Sequence, residues 1–283
     1  MVTISLCMIV KNEEAVLGRC LDSVKDAVDE IIIVDTGSSD RTKEIAAEYT
    51  DKIYDFEWVN DFSAARNEAF SKAEMDYCMW LDADDILEEK GQEKLLFWKA
   101  QADGTADVVM MDYAAGFDEE GRVTFCYERE RLLKRKRGFR WEGRVHEAVP
   151  VSGKVERLAL RIEHHSRKSS YGHRNLRIYE DMKEAGEPFH ARDLFYYARE
   201  LYYHRRYEEA VGCFLFFLEQ KDAFCENQVD ACRFTAYCLY ALGREEKALS
   251  FLYRGLRYRT PGGELCCEIG KHFADRQNWE QAA

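Results

Sequence analysis

The first 110 residues alternate between short apolar runs and segments with helical spacing of apolar positions. Continuous apolar runs are typical of strands that are covered on both faces of a sheet. The predicted strands are Thr3 to Val10, Glu30 to Val34, Lys52 to Tyr54 and Tyr77 to Leu81. The predicted helices between them are Glu13 to Val24, Thr42 to Tyr49 and Phe62 to Ala73. This alternation predicts an α/β fold with a mainly parallel, right-handed mixed sheet covered by helices.

Residues 107 to 165 have a different pattern, with longer extended segments separated by glycines. The extended segments are Val108 to Tyr113, Val123 to Leu133, Arg144 to Val151 and Leu158 to Ile162. Glycines between such segments are typical of turns. We expect antiparallel additions to the sheet and loops that complete one side of a cleft.

After about residue 170 the pattern becomes helical and repeats. Small residues recur at positions 198, 236 and 270, and alanines recur at positions 210, 248 and 282. These intervals are near the period of about 34 residues of tetratricopeptide repeats. We therefore predict two domains, an α/β domain at residues 1–168 and an all-α tetratricopeptide-like domain at 169–283 whose last repeat is incomplete.

Composition narrows the class of protein. The chain has 283 residues and a formal net charge of −12, which disfavours nucleic-acid binding. The ten cysteines show no C-x-x-C spacing, which favours reduced thiols. The sequence shows no secretory signal and no apolar run of about 20 residues, so we expect a cytoplasmic location.

Polar groups follow each predicted strand end, where open α/β sheets bind ligands. The fourth strand is followed by Asp82-Ala83-Asp84-Asp85. Carboxylates this close repel one another unless a cation or strong donors lie among them, and they suit Mg²⁺ or Mn²⁺. The alternative is a solvated acidic turn that caps a helix beginning near Ile86.

Three stretches together resemble family 2 glycosyltransferases of the GT-A fold. The resemblance covers about residues 1 to 165 and is carried by Cys7-Met8-Ile9-Val10-Lys11-Asn12-Glu13-Glu14, Val34-Asp35-Thr36-Gly37-Ser38-Ser39-Asp40-Arg41-Thr42 and Trp80-Leu81-Asp82-Ala83-Asp84-Asp85. With the trailing repeats, the chain is similar to bacterial members of that family. Some of those are peptide glycosyltransferases, and others build lipopolysaccharide.

The resemblance implies a nucleotide-sugar site. It implies that Asp35 bonds the nucleotide base, that Glu13 lies near the ribose or base, and that Asn12 and Ser38 line the same site. A carboxylate is a good acceptor for the imide N–H of uracil, so we expect a UDP-sugar donor.

The resemblance also implies where the cation and the diphosphate bind. It implies that Asp84 binds the divalent cation and that Asp82 contacts ribose or a metal-bound water. Arg66 and Asn67 would lie near the sugar–diphosphate. A late histidine completes the cation site in some related enzymes. At most one of His164 and His165 would do so here, because adjacent side chains on a strand point to opposite faces, and His164 is our candidate. The alternative for His164 is a structural histidine.

The general base is expected within Arg140-Trp141-Glu142-Gly143-Arg144-Val145-His146-Glu147. An inverting transferase needs a base that takes the acceptor's proton. Glu147 is the first candidate and Glu142 the second, and His146 would orient the base or contact phosphate. The alternative is an exposed strand with ordinary alternation.

Eight basic side chains cluster between residues 129 and 144. We expect Arg131 to clamp the diphosphate and others to receive an anionic acceptor or a membrane surface on the cytoplasmic face. A solvated loop is the alternative.

The leading hypothesis is a metal-dependent, inverting glycosyltransferase that uses a nucleotide sugar. The acceptor is left open between a peptide, a protein and a cell-envelope glycan, and the repeats are expected to present the acceptor or to form a homodimer. The alternative is a peptide-binding repeat module with a non-catalytic transferase-like scaffold. A nucleotidyltransferase is disfavoured because no glycine-rich basic loop follows the first strand.

Overall fold

The structure, a computed structural model, describes residues 1–165, 172–260 and 262–282. The chain divides into two units, Met1–Ser169 and Ser170–Ala283. The boundary expected between residues 168 and 169 lies outside the described residues.

In the described part of the first unit, eight strands form one mixed sheet in the order β3-β2-β1-β4-β7-β6-β8-β5. The strands are β1 (Ile4–Val10), β2 (Glu30–Asp35), β3 (Ile53–Asp55), β4 (Tyr77–Trp80), β5 (Asp85–Leu87), β6 (Val108–Phe117), β7 (Val123–Lys134) and β8 (Val155–His164). The helices are α1 (Leu17–Asp22), α2 (Thr42–Ala47), α3 (Phe62–Ser71) and α4 (Gly91–Gln101).

Strands β1 to β4 form the parallel part of this sheet. Every residue of β2 and β4 is buried, as the continuous apolar runs predicted. Strand β7 pairs antiparallel with β4 and β6, and β8 pairs parallel with β6 and antiparallel with β5. The α/β fold class with a mixed sheet and a following helical region is confirmed.

One alternative and one prediction for this unit are wrong. Residues from Asp85 to Leu87 form strand β5 rather than the start of a helix, because they pair with β8 and bury Leu87. The segment from Arg144 to Val151 is a loop rather than a strand, because Gly143 and His146 take positive φ angles and the Glu142–Ala148 bridge closes a turn.

The second unit is helical throughout its described elements. The helices are α5 (Arg174–Glu184), α6 (Ala191–Tyr203), α7 (Tyr207–Phe217), α8 (Cys225–Ala241), α9 (Glu245–Gly255), α10 (Gly263–Ala274) and α11 (Trp279–Ala282). Short turns join α6 to α7, α8 to α9 and α10 to α11. Ala198 and Ala236 are fully buried, and a side chain at Gly270 would come within 3.0 Å of the Ala282 carbonyl oxygen. Small residues therefore allow close helix approach at these three positions.

The helical unit has an aromatic core, which gives a stability prediction. Phe214 is fully buried, with its ring 6.3 Å from that of Phe195 and 5.9 Å from that of Phe234. We expect Phe214→Ala to lower the free energy of unfolding of this unit by about 3–5 kcal/mol, because it leaves a cavity. Denaturant unfolding followed by circular dichroism measures the change. The control is Phe216→Ala on the same helix, whose 56% exposed side chain should cost under about 1 kcal/mol. Equal losses in the two variants would contradict the packing described here.

Candidate active site

The predicted polar groups meet at one edge of the sheet because β1, β2 and β4 run parallel. Val10 at the end of β1 is level with Asp35 at the end of β2, and Cys7 is level with Trp80 at the end of β4. Asp35 and the residues after Trp80 therefore flank β1 on its two sides.

On the β2 side, a tight loop surrounds the carboxylate of Asp35. Asp35 is 1% exposed, and its Oδ1 accepts the N–H groups of Gly37 at 2.9 Å and Ser38 at 2.8 Å. Its Oδ2 is buried without a hydrogen-bond partner among the described residues. A buried carboxylate oxygen without a donor is costly, so this atom suits a donor supplied by a ligand.

The loop after β1 joins the loop after β2. The N–H of Asn12 donates to the Ser38 hydroxyl at 2.9 Å, and its side-chain oxygen accepts the N–H of Ser39 at 2.8 Å. The N–H of Glu13 donates to the Thr42 hydroxyl at 2.8 Å. The structure thus brings Asn12, Glu13, Ser38 and the Asp35 loop together.

On the β4 side, Asp84, Asp85 and His164 form a cluster whose ligand atoms all lie within 4.8 Å of one another. His164 Nδ1 is 3.0 Å from an oxygen of Asp85 and 3.4 Å from an oxygen of Asp84. The hydrogen bond with Asp85 raises the pKa of His164, and the neighbouring carboxylate charges raise it further against the effect of burial.

Two of the three predicted cation ligands, Asp84 and His164, therefore belong to this cluster. Asp82 does not, and the third member of the cluster is Asp85. Sequence reasoning left Asp85 out of the site, although it is the fourth residue of the acidic motif. Its pairing with His164 across β5 and β8 could not be read from the motif alone.

Two carboxylates and an imidazole are a chemically reasonable donor set for a divalent cation. Carboxylate oxygens suit Mg²⁺ and Mn²⁺, and an imidazole nitrogen suits Mn²⁺ better than Mg²⁺. The described residues therefore fit the predicted cation.

Asp82 is held instead by Arg66 from helix α3. Arg66 Nη2 lies 2.7 Å from Asp82, and Arg66 Nε lies 2.6 Å from Glu147. The guanidinium also contacts the rings of Trp80 and Trp141, 5.2 and 4.8 Å from their centroids. Arg66 therefore links the acidic motif to the first candidate for the general base.

This arrangement shifts two pKa values. Burial raises the pKa of Asp82, but the charge and hydrogen bond of Arg66 lower it by more, to about 2. Burial lowers the pKa of Arg66, and the charges of Asp82 and Glu147 raise it by more.

The loop from Trp141 to Ala148 separates the two base candidates. Glu142 is exposed, whereas the Glu147 side chain is 11% exposed and joins the Arg66 ion pair. His146 is half-buried with a φ of 52°, next to Glu147. Glu142 thus lies outside the cluster that contains Arg66, Asp82 and Glu147.

The resemblance implied that Asn67 lies near the sugar–diphosphate, and in the structure its side chain is bonded to the loop. Its side-chain amide donates to the Trp141 carbonyl at 2.9 Å, and its side-chain oxygen accepts the Trp141 N–H at 2.9 Å. Both ends of the side chain are therefore engaged in holding the loop.

The predicted diphosphate clamp at Arg131 is also corrected. Arg131 is fully buried and paired with Asp85 at 3.2 Å, so it cannot contact a diphosphate in this conformation. Two of the other basic residues, Lys134 and Arg135, lie at the opposite edge of the sheet, where β4 begins. Lys134 is level with Tyr77, and Arg135 donates to the carbonyl of Met75, which precedes β4.

The comparisons with known proteins identify the class. Residues 5–153, just over half of the chain, match the family described as Glycosyl transferase family 2. The chain belongs to this family.

Several relatives share parts of the chain. A TPR repeat-containing protein of Synechococcus elongatus is 40% identical over 152 residues, which is 54% of this chain and 36% of that protein. The SPbeta prophage-derived glycosyltransferase SunS of Bacillus subtilis is 29% identical over 225 residues, or 74% of this chain and 51% of SunS. The chain thus spans about half or less of these relatives. Among solved structures, S. aureus TarS in complex with UDP-GlcNAc is 14% identical with a TM-score of 0.46, over 99% of this chain and 89% of that chain.

The Arg66 bridge predicts a pH-dependent stability difference. The pKa of Asp82 is depressed to about 2 in the fold. The resulting stabilisation is therefore present above the unfolded pKa of about 4 and is lost as the pH falls through about 2. We expect the free energy of unfolding of wild type to exceed that of Arg66→Met by a margin that is about 1 kcal/mol smaller at pH 2.5 than at pH 7. This figure is discounted for the 35% exposure of the Asp82 side chain.

Urea unfolding followed by tryptophan fluorescence at both pH values measures this margin. The control is Arg129→Met, which removes a guanidinium 4.8 Å from the same Trp80 ring but paired with its neighbour Glu130. A margin for Arg66→Met that stays constant between the two pH values would contradict the role given to the bridge.

Proposed function

We propose that the chain is a metal-dependent, inverting glycosyltransferase whose donor is a UDP-sugar. The observation that carries this proposal is the placement of the Asp35 loop and the Asp84–His164 cluster at one sheet edge of a family 2 chain, with Glu147 joined to the acidic motif through Arg66. A nucleotide base, a diphosphate and a reacting sugar are linked in that order in such a donor.

The base-binding proposal rests on the unpartnered oxygen of Asp35. Uracil has one imide N–H between two carbonyl groups, and a carboxylate oxygen is a matching acceptor. Asp35 Oδ2 is buried without a partner among the described residues, and Asn12, Glu13 and Ser38 surround the same loop. We assign the uridine to this side of β1.

The diphosphate is assigned to the other side of β1. Asp84 and His164 are the residues that would hold the cation, with Mn²⁺ and Mg²⁺ as candidates. A bound divalent cation would neutralise the negative charge that develops on the leaving diphosphate. Asp82, held by Arg66, lies at the start of the same motif and would face the ribose or a cation-bound water.

Glu147 is the proposed general base. Inversion needs one base that takes the proton of the acceptor as it attacks the face of the sugar opposite the diphosphate. Arg66 contacts Oε1 of Glu147 and orients the carboxylate towards the same edge as Asp82. Glu142 is the second candidate, but its exposure leaves it without such orientation.

For the acceptor, only the chemical class is proposed. The helical hairpins of the second unit, with small residues at their close approaches, support tetratricopeptide-like repeats. Such repeats would present a peptide, protein or cell-envelope glycan acceptor, or would join two copies of the chain. The ten free cysteines support a cytoplasmic site of action, where thiols stay reduced. Among the described residues, no helix combines the length and apolarity needed to cross a bilayer.

The alternative of a non-catalytic scaffold carrying a peptide-binding module is less favoured. An inactive scaffold has no need to keep Asp35, Asp84, His164 and Glu147 at one sheet edge with Arg66 bridging the motif and the base. Capture of a peptide by a protein that releases no UDP from any donor would favour this alternative.

Donor binding is expected to depend on Asp84. We expect Asp84→Asn to weaken UDP binding in the presence of Mn²⁺ by at least about tenfold, because a ligand of the cation is lost. Calorimetry with UDP and Mn²⁺ measures this affinity. Asp51→Asn, a change of the same type at an exposed position, should bind like wild type. If wild type bound no UDP with metal present, the donor assignment would be wrong.

Sugar transfer is expected to depend on Glu147 more strongly than donor binding does. We expect Glu147→Gln to lower the rate of sugar transfer or donor hydrolysis by about 10²–10⁴-fold, since it removes a general base. UDP release is measured across a panel of UDP-, GDP- and TDP-sugars, with UDP affinity as the second measurement. Glu142→Gln is the matched control, and a larger rate loss in that variant would move the base to Glu142.

A further inference from the structure

The three members of the candidate cation cluster are not equivalent. The Asp84 and His164 side chains are 17% and 28% exposed, whereas the Asp85 side chain is fully buried. A cation that holds a diphosphate needs ligands open to the cleft, so burial sets Asp85 apart from the other two.

The carboxylate of Asp85 already has a full set of donors. Its Oδ1 accepts the Tyr113 hydroxyl at 3.0 Å and lies 3.0 Å from His164 Nδ1. Its Oδ2 accepts the Asp82 N–H at 3.1 Å and Arg131 Nη1 at 3.2 Å. A carboxylate offers about four lone-pair sites, so a cation could bind here only by displacing a donor.

One of these donors is a permanently charged group. Arg131 is fully buried, 3.8 Å from the centroid of the Trp80 ring and 4.4 Å from that of Tyr113, and it also donates to the Trp80 carbonyl at 3.1 Å. Its Nε and Nη2 have no hydrogen-bond partner among the described residues. A buried guanidinium with incomplete hydrogen bonding relies on its ion pair, so Arg131 and Asp85 need each other.

The three aspartates of the acidic motif therefore have different partners. Asp82 pairs with Arg66, and Asp85 pairs with Arg131. Among the ion pairs of the described residues, Asp84 has no arginine partner and is near only an imidazole. Asp84 is the carboxylate left to attract a cation.

We propose that Asp85 is a positioning residue and not a ligand of the cation. Its buried carboxylate orients His164 and the acidic loop through hydrogen bonds. Its hydrogen bond to Nδ1 of His164 leaves the lone pair of that imidazole on Nε2, as in metal sites where a carboxylate orients a histidine. The Asp85 carboxylate also accepts the Asp82 N–H, and the Asp85 N–H donates to the Asp82 carbonyl at 3.0 Å. These two hydrogen bonds close the turn that carries Asp84. This inference rests on the cation site of the proposed function.

A positioning role and a ligand role for Asp85 predict different effects of Tyr113→Phe on Mn²⁺ binding. If Asp85 is a positioning residue, loss of the Tyr113 hydroxyl lets the carboxylate rotate, and Mn²⁺ binding weakens by about tenfold. If Asp85 is a ligand, the same change removes a competitor for Oδ1, and Mn²⁺ binding is unchanged or tighter. The experiment is titration of the purified chain with Mn²⁺ alone, followed by electron paramagnetic resonance of the free ion.

Two further variants complete the test. Tyr127→Phe is the matched control, because this ring lies 5.5 Å from that of Tyr113 but is 40% exposed, and it should bind Mn²⁺ like wild type. Arg131→Met removes the charge next to Asp85. If Asp85 is a positioning residue, this variant should bind Mn²⁺ more weakly and should melt at a lower temperature without metal. If Asp85 is a ligand, the variant should bind Mn²⁺ more tightly.

The outcomes separate this inference from the proposed function. If Tyr113→Phe and Arg131→Met bind Mn²⁺ as tightly as wild type does, the positioning role of Asp85 is wrong, but the cation site stands. Wild type that binds no Mn²⁺ would overturn the cation site itself, and the positioning role with it. Melting curves of each variant show that a loss of binding does not come from unfolding.

Discussion

The site depends on how the protein holds several like charges close together. Three aspartates within four residues would repel one another strongly in a partly buried site. The fold offsets two of them with buried arginines, Arg66 from helix α3 and Arg131 from strand β7. Strand β7 lies beside β4 in the sheet, and this position brings Arg131 to Asp85.

The parallel half of the fold and its polar edge could be predicted from the sequence. Apolar runs of four to eight residues that end in acids or amides specify strands whose ends carry polar groups, and β1, β2 and β4 do so. Local composition decides these features, so Asp35 and Asp84 were placed at the correct edge. Their roles in binding remain predictions.

The antiparallel half could not be predicted to the same depth, because its features depend on contacts between distant segments. Arg131 is the clearest case, since β7 contains an irregularity where Val109 is level with Leu132 but Met110 is level with Glu130. This leaves Arg131 as an extra residue in the strand, and such bulges redirect side chains. Nothing in the run of basic residues distinguishes Arg131 from its exposed neighbours. The burial of Asp85 depends on a different distant pairing, that of β5 with β8, which the acidic motif alone does not show.

Helix α3 and the loop that carries Glu147 act mechanically as one piece. Phe62 donates to the Arg144 carbonyl at 2.8 Å, Arg66 holds Glu147, and Asn67 makes two bonds with the backbone of Trp141. To lift the loop away, three backbone-anchored hydrogen bonds and a buried ion pair must break at once. The loop is consequently held against helix α3 before any ligand binds, and in the proposed function an acceptor would reach Glu147 without a swing of this segment.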